Sequence, residues 1–460
     1  MNEYNYSATE TNGIQAEASA HSLKKVLKTR DLVIFGMVFM APVSAQTLFG
    51  ELTQLSKGHA VLSYVVGLVA MIFTAFCYGK MAGAFPKAGS TYSYTSQAIH
   101  PQLGFMAGWA ILLDYLLIPM LLYKLSAVFL MELIPSVPLW IVLLIFVVPV
   151  TLSNYFGARV TSRVNMYMML LMFFSLALFI GFAVKSIISS GGISSLFSLQ
   201  GIYNRDTFSM NSLVTGASIA VLSYLGFDAV TTMSEDSKVT GKMVGRAAIL
   251  SLLISSFFYI CQVYFATLAA PDFTSFASQE TAFFEIATAV GGSPLATICT
   301  LIIAVSGIST ALAGQASASR ILFSMGSDKM LPDFFARLHP KYQTPVNSIA
   351  SLAIVGYIGA VFIPLSVLFQ LIVIGALFGF VCVNLSVVKE FYFRRKERQG
   401  WQFITNLLFP LLGLSVCVYI FFGISPIGKT IGFIWLSAGF CLLMYTLKFL
   451  KREISIFENL

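Results

Sequence analysis

Runs of about 20 apolar residues recur along this chain from Leu32 to Leu447, and that recurrence limits the fold more than any motif does. A segment of this length crosses the ~30 Å hydrocarbon core of a bilayer as an α-helix. No water reaches its backbone there, so each spanning segment must satisfy its own N–H and C=O groups. Of the 460 residues, 57% are hydrophobic and 10% are charged, against roughly 25% charged in soluble domains. The fold class is an all-α polytopic membrane protein.

Twelve spans are read, at about 31–55, 60–84, 102–133, 137–157, 163–187, 211–235, 245–270, 286–318, 347–364, 366–389, 403–423 and 429–449. The start of the eighth is blurred by Gly291, Gly292, Ser293 and Pro294. One transmembrane domain over 24–450 follows, with no room for a sizeable soluble domain. Residues 1–23 are polar and read as a disordered cytoplasmic N-terminus, and 451–460 as a cytoplasmic tail. No basic segment followed by a short apolar stretch and a cleavage site opens the chain, so the first helix is expected to be retained.

Charge sets the orientation. With the N-terminus inside, 23 of the 28 Lys and Arg residues fall in inside segments and four outside (Lys57, Lys185, Arg205 and Lys429), with Lys124 within a span. Basic residues concentrate in cytoplasmic loops, and one miscounted span would invert every later loop. Both termini are therefore expected inside, in a multi-pass protein of the cell membrane, the inner membrane if the source is bacterial. The net charge of +8 sits in short loops, which argues for the lipid bilayer rather than nucleic acid as its partner.

Other chemistries find little support. Cys77, Cys261, Cys299, Cys382, Cys417 and Cys441 lie in apolar stretches without metal or redox spacing and read as buried hydrophobes. His21, His59, His100 and His339 lie outside the spans or at their ends. With no His-rich cluster and no Gly-x-Ser-x-Gly elbow, neither a metal nor a cofactor is expected. A membrane-embedded enzyme and a transporter-like sensor are the alternatives of other classes; a sensor would need a larger cytoplasmic output segment.

Two spans carry helix breakers at membrane depth. The first holds Gly36, Pro42, Ser44, Gln46 and Gly50; the sixth holds Gly216, Ser218, Ser223, Tyr224, Gly226, Phe227 and Asp228. Proline within a helix removes a hydrogen bond and clashes with the preceding turn. Breaks five helices apart point to two five-helix repeats, about 31–187 and 211–389, followed by helices eleven and twelve at 403–449. An odd-numbered repeat inverts its second copy, and such repeats with discontinuous helices mark secondary transporters with a midplane site. A proline kink with glycines for close packing is the plainer reading.

Charges inside a membrane are functional candidates. Asp114 lies about halfway along the third span, and Tyr115 points about 100° away from it around the helix. One of the two is expected to face the site while the other packs behind. Asp228 follows the sixth-span break. Glu235 lies seven residues on, which on a helix places both carboxylates on one face about 10 Å apart, as a ladder for a cation or proton. Asp114, Asp228 and Glu235 are the proton-coupling candidates. Lys124 is expected to snorkel outwards. Tyr224 and Phe227 flank the break, and aromatic faces hold ammonium groups.

Three motifs then carry a resemblance. Phe85-Pro86-Lys87-Ala88-Gly89-Ser90-Thr91-Tyr92-Ser93-Tyr94 precedes the third span. Gly226 to Glu235 forms the second. Ser319 to Gly326, with Asp328, Leu331-Pro332, His339-Pro340-Lys341 and Thr344-Pro345, forms the third. In this order they resemble the amino acid–polyamine–organocation (APC) transporter family over most of residues 24–450. Within it, Leu113-Asp114-Tyr115 with Gly226 to Thr232 is most similar to bacterial putrescine importers.

The resemblance implies a LeuT-like fold of twelve helices, alternating access, and a site between the first, third, sixth and eighth helices. It favours Tyr115, the 42–46 break, Tyr224, Asp228 and Glu235 as site residues. The chain departs from the family in lacking a Gly-Ser-Gly-like run in the first helix, where Pro42-Val43-Ser44-Ala45-Gln46 stands instead. Bare amides there would hold an α-carboxylate, so amines without a carboxylate are favoured. The fifth span has no lysine, and Ser309 and Thr310 in the eighth are the candidates for a sodium site. Import of putrescine or a related amine, driven by protons, is the leading expectation; an amino acid permease or an amine/amino-acid exchanger is the rival.

Overall fold

The computed structural model describes residues 25–87, 89–131, 136–277, 279, 282–423 and 426–449. The readings made for 1–23 and 451–460 fall outside these residues.

The described residues form α1 (Thr29–Met40), α2 (Ser44–Thr47), α3 (Phe49–Leu55), α4 (Ala60–Ala84), α5 (Thr91–Ala98), α6 (Pro101–Met131), α7 (Leu139–Tyr155), α8 (Ala158–Gly191) and α9 (Met210–Tyr224). They continue with α10 (Ala229–Thr232), α11 (Gly241–Ala269), α12 (Ala282–Ser327), α13 (Val346–Phe362), α14 (Leu365–Val387), α15 (Trp401–Phe403), α16 (Phe409–Gly423) and α17 (Pro426–Phe449). Among them, nine helical segments are long and apolar enough to cross a membrane, and α1–α3 make a tenth that bends by 64°. The apolar helices α7 and α13 have 17 residues each and stand where the fourth and ninth spans are read.

The core is organised around α6. Of its most apolar stretch, 78% is buried, against 22% for α17. Large apolar side chains on the peripheral helices point outwards instead, among them Leu170 and Phe174 on α8, Ile354 on α13 and Phe433 on α17. Apolar side chains left uncovered in this number belong against lipid tails.

Both expected breaks are present, and each has a local cause. α1 stops at Met40, Ala41 takes φ +48°, and Pro42 follows without an N–H to continue the ladder. α9 stops at Tyr224, Leu225 is extended, and Gly226 takes φ +117°, a left-handed conformation open to glycine. Gly226 is also needed for space, since a Cβ there would lie 2.1 Å from Cδ1 of Phe39.

Some expectations need correction. Gly36 and Gly216 do not mark breaks. Each sits inside a helix, where a Cβ would meet the hydroxyl of Ser251 or Ser63 at 2.5 Å, so they serve close packing. The start of the eighth span, read at about 286 and blurred by the Gly-Gly-Ser-Pro stretch, lies at Ala282. α12 runs through that stretch, kinked at Gly292 (φ +74°), and continues to Ser327.

Candidate functional site

The two breaks meet the third span at Tyr115. This fully buried residue donates its hydroxyl proton to Oδ2 of Asp228 in a short hydrogen bond. The other carboxylate oxygen, Oδ1, is buried without a hydrogen bond of good geometry, although the carboxylate lies near the backbone amides of Gly226, Asp228 and Ala229. A buried acceptor left unpaired costs about 1–3 kcal/mol, so this oxygen is poised for a donor from outside the chain. The ring of Phe39, on the last turn of α1, packs edge-on against Tyr115 with centroids 5.7 Å apart.

Beyond Phe39 and Leu225 opens a cavity of about 170 Å³, walled by the first break, α6, α9 and α12. Phe39, Leu225 and Ile118 form its floor, and Ile118 stands one turn from Tyr115 on α6. The rest is mostly leucine and isoleucine with six hydroxyls, from Ser44, Thr47, Ser126, Ser223, Ser306 and Thr310. Among the described residues, no charged side chain lines it. The Tyr115–Asp228 pair does not line the cavity, and Phe39, which does, packs against Tyr115 as part of an apolar septum.

The sequence left the choice between Asp114 and Tyr115 open, and packing decides it. Asp114 backs onto α14, where a Cβ on Gly375 would lie 3.3 Å from its Cβ. It is buried, with Oδ1 unpartnered, and makes no hydrogen bond to the breaks, though it lies close enough to Asp228 to feel its charge.

Tyr224 and Phe227 also point away from the cavity. Tyr224 donates to the carbonyl of Tyr64 at 2.8 Å. Phe227 packs against Tyr78 and Phe380 at 5.7 and 5.5 Å. Neither lines the cavity, so neither ring is placed there for a cation–π contact. The carboxylate ladder loses its geometry as well. α10 ends at Thr232 and the chain turns through Met233–Asp236, so half-buried Glu235 does not share a helix face with Asp228.

In the first break, Ser44 lines the cavity with its hydroxyl unpartnered. The carbonyl of Pro42 accepts from Nε2 of Gln262 at 2.8 Å. Gln46 is 2% exposed with both amide atoms unpartnered, yet does not line the cavity. Thr310 Oγ1 donates to the carbonyl of Val38 at 2.9 Å, and Ser309 donates to Ser306 at 2.7 Å. Thr310 thus touches the first helix where a cation would need oxygen ligands; Ser309 is turned into its own helix. Lys124 reaches the carbonyl of Ile363 at 2.6 Å.

Several residues went unmarked in the sequence. Phe39 forms the septum. The hydroxyl of Tyr259 on α11 lies 2.6 Å from the carbonyl of Met40 and 2.9 Å from that of Ser223, so one side chain caps the open ends of both broken helices. Arg320 on α12 forms a buried ion pair with Asp236 at 2.5 Å. The carbonyl of Asp236 accepts from the amides of Val26 and Leu27 at 2.7 and 3.0 Å. This ties the residues before α1 to the turn after α10. A buried acid–base pair following a broken span was the available signal for it.

This arrangement sits in a chain whose residues 48–450 match the sequence profile of the family described as amino acid permease. The chain belongs to the amino acid permease family. It is similar to the low-affinity putrescine importer PlaP of Escherichia coli (strain K12), with 29% identity over 98% of this chain and 99% of that protein. It is also similar to the methylthioribose transporter of Bacillus subtilis (strain 168), at 24% over 93% and 94%. The branched-chain amino acid permease BcaP of Lactococcus lactis is 26% identical over 90% and 93%. All are transport proteins, and this member of the family is a multi-pass membrane transporter, not an enzyme.

Proposed function

We propose that this permease is a secondary active importer of a small organic cation, putrescine or a related amine, working by alternating access in the cell membrane. The carrying observation is the buried Asp228 carboxylate at the sixth-span break, with one oxygen held by Tyr115 and the other unpartnered. An ammonium group supplies the charge and the N–H that such an oxygen lacks. Pro42 in the first break, where carboxylate-binding amides would be wanted, supports an amine over an amino acid. The similarity to a putrescine importer supports the same substrate.

In this reading the chain has twelve spans in a LeuT-like fold, the first ten falling in two inverted five-helix repeats that carry the two breaks, with both termini inside. A proton is the coupling ion, with Asp228 as its carrier and Asp114 as a second acid nearby; sodium at Thr310 is the alternative. Substrate enters the cavity, Phe39 swings aside, and the ammonium pairs with Asp228. Tilting of the broken helices then opens the opposite side.

The alternative is an amino acid permease, which the similarity to branched-chain permeases supports. Uptake of labelled putrescine into proteoliposomes, with unlabelled amines and amino acids as competitors, separates the two. Competition by diamines alone fits the amine importer; counter-transport of amino acids without putrescine uptake fits the permease.

A further inference from the structure

The hydroxyls of the cavity share a property that the Asp228 reading does not use. Thr47 donates to the carbonyl of Ser44 at 2.8 Å, Ser126 to Ala304 at 2.7 Å, Ser306 to Ile303 at 2.7 Å and Thr310 to Val38 at 2.9 Å. A hydroxyl carries one proton and two lone pairs. With its proton committed to the backbone, each of these four oxygens faces the cavity as an acceptor. Of the other two, Ser223 pairs with the hydroxyl of Tyr64 at 2.9 Å and Ser44 is unpartnered. The wall thus offers lone pairs to a ligand rich in N–H donors, and little to a carboxylate.

The acceptors are also spread along an axis. Ser126 follows Tyr115 by eleven residues on α6, about 16 Å at 1.5 Å per residue. On α12, Gly307 packs against Ser126 and Gly314 against Pro119. Ser306 therefore stands level with Ser126, and Thr310 lies between that level and Tyr115. A four-carbon diamine has five bonds of about 1.5 Å between its nitrogens and covers at most about half of this distance.

We infer that the cavity is a subsite for the distal part of an extended cationic chain, a longer diamine or a linear polyamine. One terminal ammonium pairs with Asp228, and the nitrogens beyond it donate to Thr310 and then to Ser306 and Ser126. The intervening methylenes lie against Leu121, Leu122 and Leu125. This rests on the amine reading above and narrows its substrate class.

The test is competition against labelled putrescine uptake in proteoliposomes, using α,ω-diamines of four to ten carbons, a linear triamine, and 4-aminobutyrate as the carboxylated control. Half-inhibitory concentrations are expected to fall at least tenfold from the four-carbon diamine to the longest amines, and 4-aminobutyrate is expected to compete weakly. In Ser306→Ala and Ser126→Ala the long-to-short ratio shrinks several-fold towards one, and Ser306→Thr restores it. The ratio is read within each variant, so a general loss of active protein does not imitate the effect. Putrescine uptake that depends on Asp228 but shows no chain-length preference, or equal competition by 4-aminobutyrate, would overturn this inference alone. Competition by no amine of any length would sink the amine reading with it.

Discussion

The hydroxyl of Tyr115 donates to the carboxylate of Asp228, joining the third span to the break in the sixth. Tyr115 comes from a helix buried along most of its length, and Asp228 from the irregular stretch just before a one-turn helix. A continuous helix therefore holds one end of the bond and a break in a helix the other. A charge-assisted bond of this kind contributes about 1.5–3 kcal/mol.

Asp228→Asn keeps the shape of the side chain and removes its charge. Amine uptake at sub-saturating substrate is expected to fall by at least about a hundredfold. Tyr115→Phe is expected to lower it by about tenfold, mainly through KM, since each 1.4 kcal/mol is a factor of ten. Initial rates in proteoliposomes measure both. Unchanged uptake in Asp228→Asn, with unchanged pH dependence, would remove Asp228 from the site.

Gly226→Ala forces a side chain into a left-handed backbone and towards Phe39, 2.1 Å from its ring. The backbone term alone costs about 1–2 kcal/mol. Transport is expected to be lost and thermal stability in detergent lowered. In Gly226→Ala/Phe39→Ala, part of the stability is expected back, because the ring is gone while the backbone strain stays.

Tyr259→Phe deletes the one hydroxyl that reaches the carbonyls of Met40 and Ser223. Leaving a buried acceptor unpaired costs about 1–3 kcal/mol. The two breaks then open independently, so faster hydrogen exchange is expected in residues 38–47 and 223–229 together. Exchange that rises in neither segment would show that Tyr259 is only packing.

Arg320 and Asp236 form an ion pair buried on both sides. Removing one partner strands a charge and is expected to destabilise the fold by about 3–5 kcal/mol. Asp236→Asn and Arg320→Gln should each do so, and the double variant should lose less than the sum. Additive losses in thermal unfolding would mean that the two charges act separately.

The sequence carried the membrane class and the positions of both breaks, because apolar length and proline or glycine act locally. It stopped at facing. Asp114 and Tyr115 are neighbours, and contacts with distant parts of the chain, Gly375 for Asp114 and Asp228 for Tyr115, decide which of them bonds to the break. Glu235 was placed by helical spacing, but α10 lasts a single turn, so that spacing does not apply. Tyr224 and Phe227 flank the break in sequence, but both are buried against other helices, Tyr224 on Tyr64 and Phe227 on Tyr78 and Phe380. Phe39 and Tyr259 are two among 41 Phe and 19 Tyr, and periodicity marks neither. Their roles come from contacts between distant helices, which no local pattern encodes.

The central claim is that Asp228 holds a transported amine. It is tested most directly by labelled putrescine uptake into proteoliposomes of the wild-type chain and Asp228→Asn, with and without an imposed pH gradient, acidic outside. Concentrative uptake driven by the gradient in the wild type and absent from Asp228→Asn is the predicted result. Equal accumulation by both proteins, or none by the wild type while amino acids exchange freely, would contradict it.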